Sequence, residues 1–156
     1  LMLQAAVQAI DEGASCEEAV ERVEAIRDGV RVLFVVDTLE YLAKGGRIGN
    51  GKAFMGTMLR IKPILVLQDG AIEPLEQVRS KRKALARLQD LVVEHAGGNG
   101  SQAMLAIAHA LVPQEAEAVE RDLTARLKCQ KPLMTSIGPV IGTHTGPGVV
   151  GVAVYV

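Results

Sequence analysis

Tryptophan is absent from this chain, and two tyrosines with two phenylalanines bring the aromatic content to only 3%. The core must therefore be aliphatic, and a single-stranded nucleic-acid reader that stacks bases on aromatic rings is disfavoured. Cysteine is nearly as scarce. Cys16 and Cys129 stand far apart with no second cysteine or histidine at metal-ligand spacing. Neither a metal site nor a disulfide framework is expected, and a reducing cytoplasm suits such a chain. No apolar run approaches the ~20 residues that cross a bilayer, and no secretory leader pattern is read. Carboxylates paired for acid–base work are missing too: Asp37 and Glu40 read as capping residues, and no catalytic constellation or cofactor motif emerges.

What is present describes an ordinary globular domain. Hydrophobic residues make up 49% and charged residues 22% of 156 positions, enough for one domain with a real core. The chain opens on Leu1 inside a stretch that already reads as helix, so a preceding region is expected to be absent. The formal charge of −1 is unevenly spread. Between Lys44 and Arg87 lie ten of the seventeen basic residues against Asp69, Glu73 and Glu76, a local balance of +7. One face is expected to attract anions or an acidic partner.

Ser15 and Glu18 form a capping-box pattern ahead of Ala19, Val20, Val23 and Ile26 at helical spacing. Residues 30–36 read as a buried strand, after which Asp37 or Thr38 caps a short helix carrying Leu39, Tyr41 and Leu42. Lys44-Gly45-Gly46-Arg47-Ile48-Gly49 stops it. Residues 51–61 read as a helix, and 62–67 and 71–79 as a hairpin about Asp69-Gly70. Ser80 caps a helix through His95, Gly97-Gly98-Asn99-Gly100 is a loop, and residues 113–127 form a helix with proline in its first turn. Residues 103–110, 133–137 and 149–156 complete six strands. Hairpins mixed with helices predict an α+β fold, a mostly antiparallel or mixed sheet covered by helices.

Two segments could carry chemistry. Lys44-Gly45-Gly46-Arg47-Ile48-Gly49 offers exposed amides and cations for an anion, or is simply a glycine helix stop with solvated charges. Ile137-Gly138-Pro139-Val140-Ile141-Gly142-Thr143-His144-Thr145-Gly146-Pro147-Gly148 sets one histidine among glycines, prolines and two threonines, a segment built to hold a shape. His144 on a rigid turn can donate to a carboxylate or phosphate. His95 is expected at helix-end carbonyls and His109 in a structural role. The Lys81-Arg82-Lys83 run reads as a solvated helix start.

Taken together, Asp37-Thr38-Leu39-Glu40-Tyr41-Leu42 running into the 44–49 glycine segment, Ile61-Lys62-Pro63-Ile64-Leu65 with Asp69-Gly70, Arg79, and the 137–148 segment resemble the DegV family, in order and over nearly the whole chain. The resemblance implies the C-terminal lobe, a single domain over residues 1–156, of a two-lobe bacterial protein whose N-terminal lobe is absent here. It implies a non-catalytic, cytoplasmic carrier that binds a long-chain fatty acid and presents its carboxylate to a separate fatty-acid kinase subunit for phosphorylation. His144 would then bind the carboxylate, with Thr143 and Thr145 beside it. Arg47 and Arg79 match family arginines associated with docking or with the phosphorylated product, and Lys44 joins them as a partner or phosphate contact. The acyl pocket is expected among Phe54, Met55, Met58, Leu59, Ile64 and Ile141, methionine adapting to different tails. A transient contact with a membrane surface is compatible with such a carrier.

Two other classes stay open. An enzyme acting on a small phosphorylated or carboxylated metabolite would gather Lys44, Arg47 and His144 around one anion. A nucleic-acid binder would use the basic region, and near-neutral total charge argues against it.

Overall fold

Antiparallel pairing of residues 31–35 with both 64–67 and 150–154 sets the centre of the molecule. The structure is a computed structural model that describes residues 1–47 and 61–156. Strands β1 (Arg31–Val35), β2 (Lys62–Gln68), β3 (Ala71–Val78), β4 (Met104–His109), β5 (Leu133–Ser136) and β6 (Val150–Tyr155) form one sheet in the order β3-β2-β1-β6-β4-β5. Among the described residues only the β4–β5 pair is parallel. The chain is a mixed α/β protein with an open six-stranded sheet, as its mixture of hairpin and helix signals predicts.

Strand β1 explains why its sequence is apolar without alternation. Leu33 and Val35 face a core beneath helices α4 (Lys81–Ala96) and α5 (Pro113–Leu127), joined there by Ile64, Val66, Leu105, Ile107, Val150, Val152 and Val154. Phe34 and Val36 face the other way, into a smaller cluster with Leu39, Leu42, Leu65 and Val149. Buried on both sides from Leu33 onward, the strand has no polar position to offer there. Beyond that cluster the second face carries small residues: Ala106 stands opposite Ala153 and Ala108 opposite Gly151.

Local chemistry places the ends of the elements. Asp69 and Gly70 both take positive φ, 51° and 76°, the two-residue turn that matches strand twist in the β2–β3 hairpin. A capping box starts α2 (Cys16–Gly29): the Ser15 hydroxyl accepts from the Glu18 amide at 3.2 Å, and the Glu18 carboxylate from the Ser15 amide at 2.7 Å. It pairs with α1 (Met2–Asp11), whose Ala5 and Ala9 are buried. Edge strand β3 tolerates Pro74 beside a register shift at Ile64/Leu65.

Two expectations need correction. The Gly97–Gly100 loop is part of a 3₁₀ helix, Gly97–Gln102. The 137–148 segment is not a turn throughout, because Pro139–Thr145 forms helix α6. Proline at its first position costs no hydrogen bond and Gly146 merely ends it, so only Gly142 is a true interior breaker. The helix expected over 51–61 lies outside the described residues.

Candidate ligand-binding site

Helix α3 (Glu40–Lys44) follows β1 and α6 follows β5, and the two pack against each other at one end of the sheet. The Thr38 hydroxyl accepts from the Glu40 amide at 3.2 Å and opens α3. The helix closes on Gly45 and on Gly46, whose φ is +67°. The Gly46 amide donates to Ala43 at 3.2 Å and the Arg47 amide to Leu42 at 2.9 Å, the paired bonds of a glycine-terminated helix. With Gly45 bonded to Tyr41 at 2.9 Å, the amides of residues 45–47 are all spent. The glycine-stop reading of this segment is therefore the correct one for those residues, and they form no amide cradle for an anion.

The contact between the two segments is made of glycines meeting side chains. Gly45 lies against the His144 imidazole, Gly146 against the Tyr41 ring, and Gly148 against the Asp37 carboxylate, each so closely that a Cβ would clash. The partners recur four residues apart on one segment (37, 41, 45) and two apart on the other (144, 146, 148). The α3 segment is thus docked against the last turn of α6 and the turn that leads out of it. Gly146 and Gly148 also hold φ of +75° and +83°, conformations that favour glycine.

His144 is half-buried, and its Nδ1 is closed off without a hydrogen-bond partner among the described residues. That nitrogen faces Gly45. The hydroxyls of the two neighbouring threonines are turned to the helix backbone: Thr143 donates to the Val140 carbonyl at 2.9 Å and Thr145 to that of Ile141 at 3.2 Å. Thr143 is exposed and Thr145 buried. Each oxygen keeps its acceptor capacity, while its proton is engaged.

Asp37 and Lys81 do more than cap and solvate, which corrects the sequence reading of both. The Lys62 ammonium lies 2.9 Å from Asp37 Oδ1 and donates to the Asp37 carbonyl at 3.0 Å. Lys81 lies 3.2 Å from the same oxygen and 3.2 Å from Glu115, and donates to the Gly148 carbonyl. Burial pushes the Asp37 carboxyl upward, but hydrogen bonds and charge from Lys62 and Lys81 outweigh it and leave it below the usual range. The signal available in the sequence was Asp37 itself, an acid placed straight after a strand buried on both faces.

The remaining expected site residues are dispersed. Arg47 and Arg79 are exposed and make no ion pair among the described residues. Lys44 is exposed and paired with Glu40 at 2.7 Å, which raises its pKa through that hydrogen bond. The basic region is thus partly neutralised, since Arg87 holds Glu76 and Glu94 at 2.9 and 2.6 Å. Ile64 lies in the core under α4, not at this end's surface, and Ile141 is 57% exposed on α6. Phe54, Met55, Met58 and Leu59 lie outside the described residues. His109 is buried at the end of β4. His95 is exposed in the last turn of α4, where partial burial and the Arg31 charge lower its pKa. Among the described residues no group of His, Cys, Asp or Glu could hold a metal ion, and no helix is long and apolar enough to cross a membrane.

Comparison with known proteins adds what geometry alone does not. The family model for an uncharacterised protein of the DegV family matches residues 1–156. The chain is 42% identical over 151 residues to a DegV domain-containing protein of Streptomyces coelicolor, covering 96% of this chain and 53% of that relative. Its structure is similar to that of a fatty-acid-binding DegV family protein of Thermus thermophilus, with a TM-score of 0.90 and 32% identity over 99% of this chain and 55% of that one. A fatty-acid-binding DegV family protein of Streptococcus agalactiae gives a TM-score of 0.85 and 33% identity over 99% and 54%. The chain spans about half the length of the relatives it matches.

Proposed function

This chain belongs to the DegV family, and on that premise we propose that it binds a long-chain fatty acid, with His144 receiving the carboxylate, and presents that carboxylate to a separate kinase subunit. The observation that carries the reading is the setting of His144: a half-buried imidazole, closed at Nδ1 against Gly45 and carried on a segment fixed by three glycine contacts. Nε2 is the nitrogen left to meet a ligand. The similar proteins of Thermus and Streptococcus support the ligand class, since both bind fatty acid.

The tail supplies the affinity and the head group the orientation. A chain of ~16 carbons gains on the order of 10 kcal/mol at about 0.8 kcal/mol per buried methylene, before ordering costs. A hydrogen bond to its charged carboxylate adds about 1.5–3 kcal/mol. Ala106, Ala108, Gly151 and Ala153, in facing register on the sheet face away from α4 and α5, give an alkyl chain an apolar floor. Ile141, exposed on α6, is candidate lining together with Phe54, Met55, Met58 and Leu59. Thr143 and Thr145 assist at the head group, and Arg47, Arg79 and Lys44 meet the kinase subunit or the acyl phosphate. The chain itself performs no chemistry in this scheme, needs no cofactor and works in the cytoplasm.

Native mass spectrometry of the purified protein tests the ligand, and ATP with a fatty-acid kinase catalytic subunit tests the presentation. A co-purifying fatty acid, bound roughly ten- to hundred-fold more weakly in His144→Ala, and formation of acyl phosphate are the expected results. No bound lipid after incubation with oleate or palmitate would overturn the first part; bound lipid that the kinase never phosphorylates would overturn the second.

A further inference from the structure

Helix α6 cannot be oriented by packing alone. It is seven residues long and only Thr145 is buried, while Val140 and Ile141 are 79% and 57% exposed. So short a helix has little stability of its own and takes its direction from what holds its ends. Its C-terminal exit is tied to the end of β4 by two backbone bonds, the Gly148 amide to the Ala110 carbonyl at 2.9 Å and the Ala110 amide to the Val149 carbonyl at 3.0 Å, and its remaining orientation is set by charge. The Gly148 carbonyl accepts from Lys81, and the Asp37 carboxylate lies beneath Gly148.

Those two residues belong to a row of alternating charges, Lys62, Asp37, Lys81 and Glu115, contributed by β2, the β1–α3 turn, α4 and α5. The Lys81 side chain is only 17% exposed. Partly buried ion pairs are poor devices for stability, since desolvation offsets attraction, but they impose geometry that apolar contacts do not. Both determinants of His144 trace back to this row. Its backbone leaves α6 through Gly148, which Lys81 and Asp37 hold. The wall behind its ring is Gly45, eight residues along the segment that starts at Asp37.

We propose that Asp37 and Lys81 are positioning residues for His144: their ion pair fixes the 146–148 exit and the 37–45 segment relative to each other, and so fixes the imidazole between them. The proposal rests on the reading of His144 as a ligand contact only for its functional consequence. Without the Lys81 ammonium the Gly148 carbonyl loses its partner and Asp37 a neighbouring charge, while the Gly148 amide keeps its 2.9 Å bond to the Ala110 carbonyl; α6 then tilts about that remaining bond, which moves the ring without unfolding the sheet.

The test compares Lys81→Met with Arg126→Met in the ¹⁵N-labelled protein. Arg126 on α5 pairs with Asp90 on α4 at 2.9 Å, so it joins the same two helices without touching α6. Long-range ¹H–¹⁵N spectra report each imidazole separately, and titration with oleate reports affinity. In Lys81→Met the His144 signals are expected to move while those of His95 stay, with oleate affinity falling about tenfold, the loss of one weakened charged hydrogen bond. Arg126→Met is expected to lower the melting temperature with both readouts unchanged. Equal behaviour of the two variants overturns the proposal, as does a Lys81→Met protein whose His144 signals match the parent. If Lys81→Met does not fold, Lys81→Gln, close in length and uncharged, takes its place under the same criteria. A parent protein that binds no oleate would sink the ligand reading, while the imidazole spectra still decide the positioning role.

Discussion

Replacing Gly45 by alanine separates the stability of the fold from the placement of His144. Gly45 has φ −78° and ψ −4°, a right-handed conformation open to any residue, so the backbone gives alanine no strain. On backbone grounds alone the change should stabilise the protein by about 0.4–1 kcal/mol, because alanine has fewer unfolded conformations to lose. The obstacle is a side chain. The new Cβ would overlap Nδ1 of His144, lie 3.1 Å from its Cε1 and 3.2 Å from the Tyr41 carbonyl oxygen. An imidazole can rotate away where backbone cannot, and restoring ordinary packing distances of ~3.5 Å requires the ring to move by roughly 1 Å.

With His144 as the proposed carboxylate contact, that displacement would stretch the hydrogen bond past its useful range. The interaction is worth about 1.5–3 kcal/mol, so fatty-acid affinity should fall roughly ten- to hundred-fold while the melting temperature changes little. Gly46→Ala is the counterpart. Its φ of +67° makes alanine strained, at about 1–2 kcal/mol, yet among the described residues no atom lies within 4 Å of the added Cβ. It should lose stability and retain His144 in place. Calorimetric titration with oleate, thermal denaturation and the His144 ring signals measure all three quantities. A Gly45→Ala protein that binds oleate like the parent with unmoved ring signals would refute the reasoning, because it would mean that the wall behind His144 does not set its position.

Three further outcomes follow from burial and charge. Leu88, fully buried on the inner face of α4, should cost about 2–5 kcal/mol as Leu88→Ala, read by urea denaturation. Cys16 is exposed, whereas Cys129 is buried and its thiol is pushed upward by that burial. Iodoacetamide at pH 8 should therefore label Cys16 alone in the native protein, and labelling at Cys129 with equal speed would contradict the fold there. Asp37 has a lowered folded pKa, so its contribution to stability is complete above the unfolded carboxyl value of about 3.9 and is lost as pH falls through the folded value. The stability difference between the parent and Asp37→Ala should accordingly be constant from pH 7 to pH 5 and shrink below pH 4 in chemical denaturation.

The sheet was largely legible in the sequence because each strand announced itself by a local rule. The residues flanking Asp69-Gly70 form a hairpin in whatever fold contains them, and a β-branched run between Gly29 and Asp37 has little choice but burial. Helix α6 was not legible, since its prolines and glycines are counted as breakers unless their positions at the first residue and the stop are known beforehand. The candidate site shows the same division. His144 stood out because a lone imidazole among glycines is unusual composition. Asp37 and Lys81 did not, because their meaning depends on residues 44 positions apart in the chain, and capping and solvation explained each of them singly.

The glycines of residues 137–148 pose the sharper lesson. Read alone, they suggest a backbone that a ligand can approach. In the fold, Gly146 and Gly148 are approached by Tyr41 and Asp37 of the protein itself. A sequence records that space is needed and is silent on what fills it. Two glycines at alternate positions opposite residues spaced by one helical turn are the pattern of a segment docked on a short helix, and that pattern exists only when both segments are read together. His144 inherits its fixed setting from this docking, so the feature that looked most like a freestanding site is a property of two distant stretches, joined through Gly45 at one end and through Asp37 and Lys81 at the other.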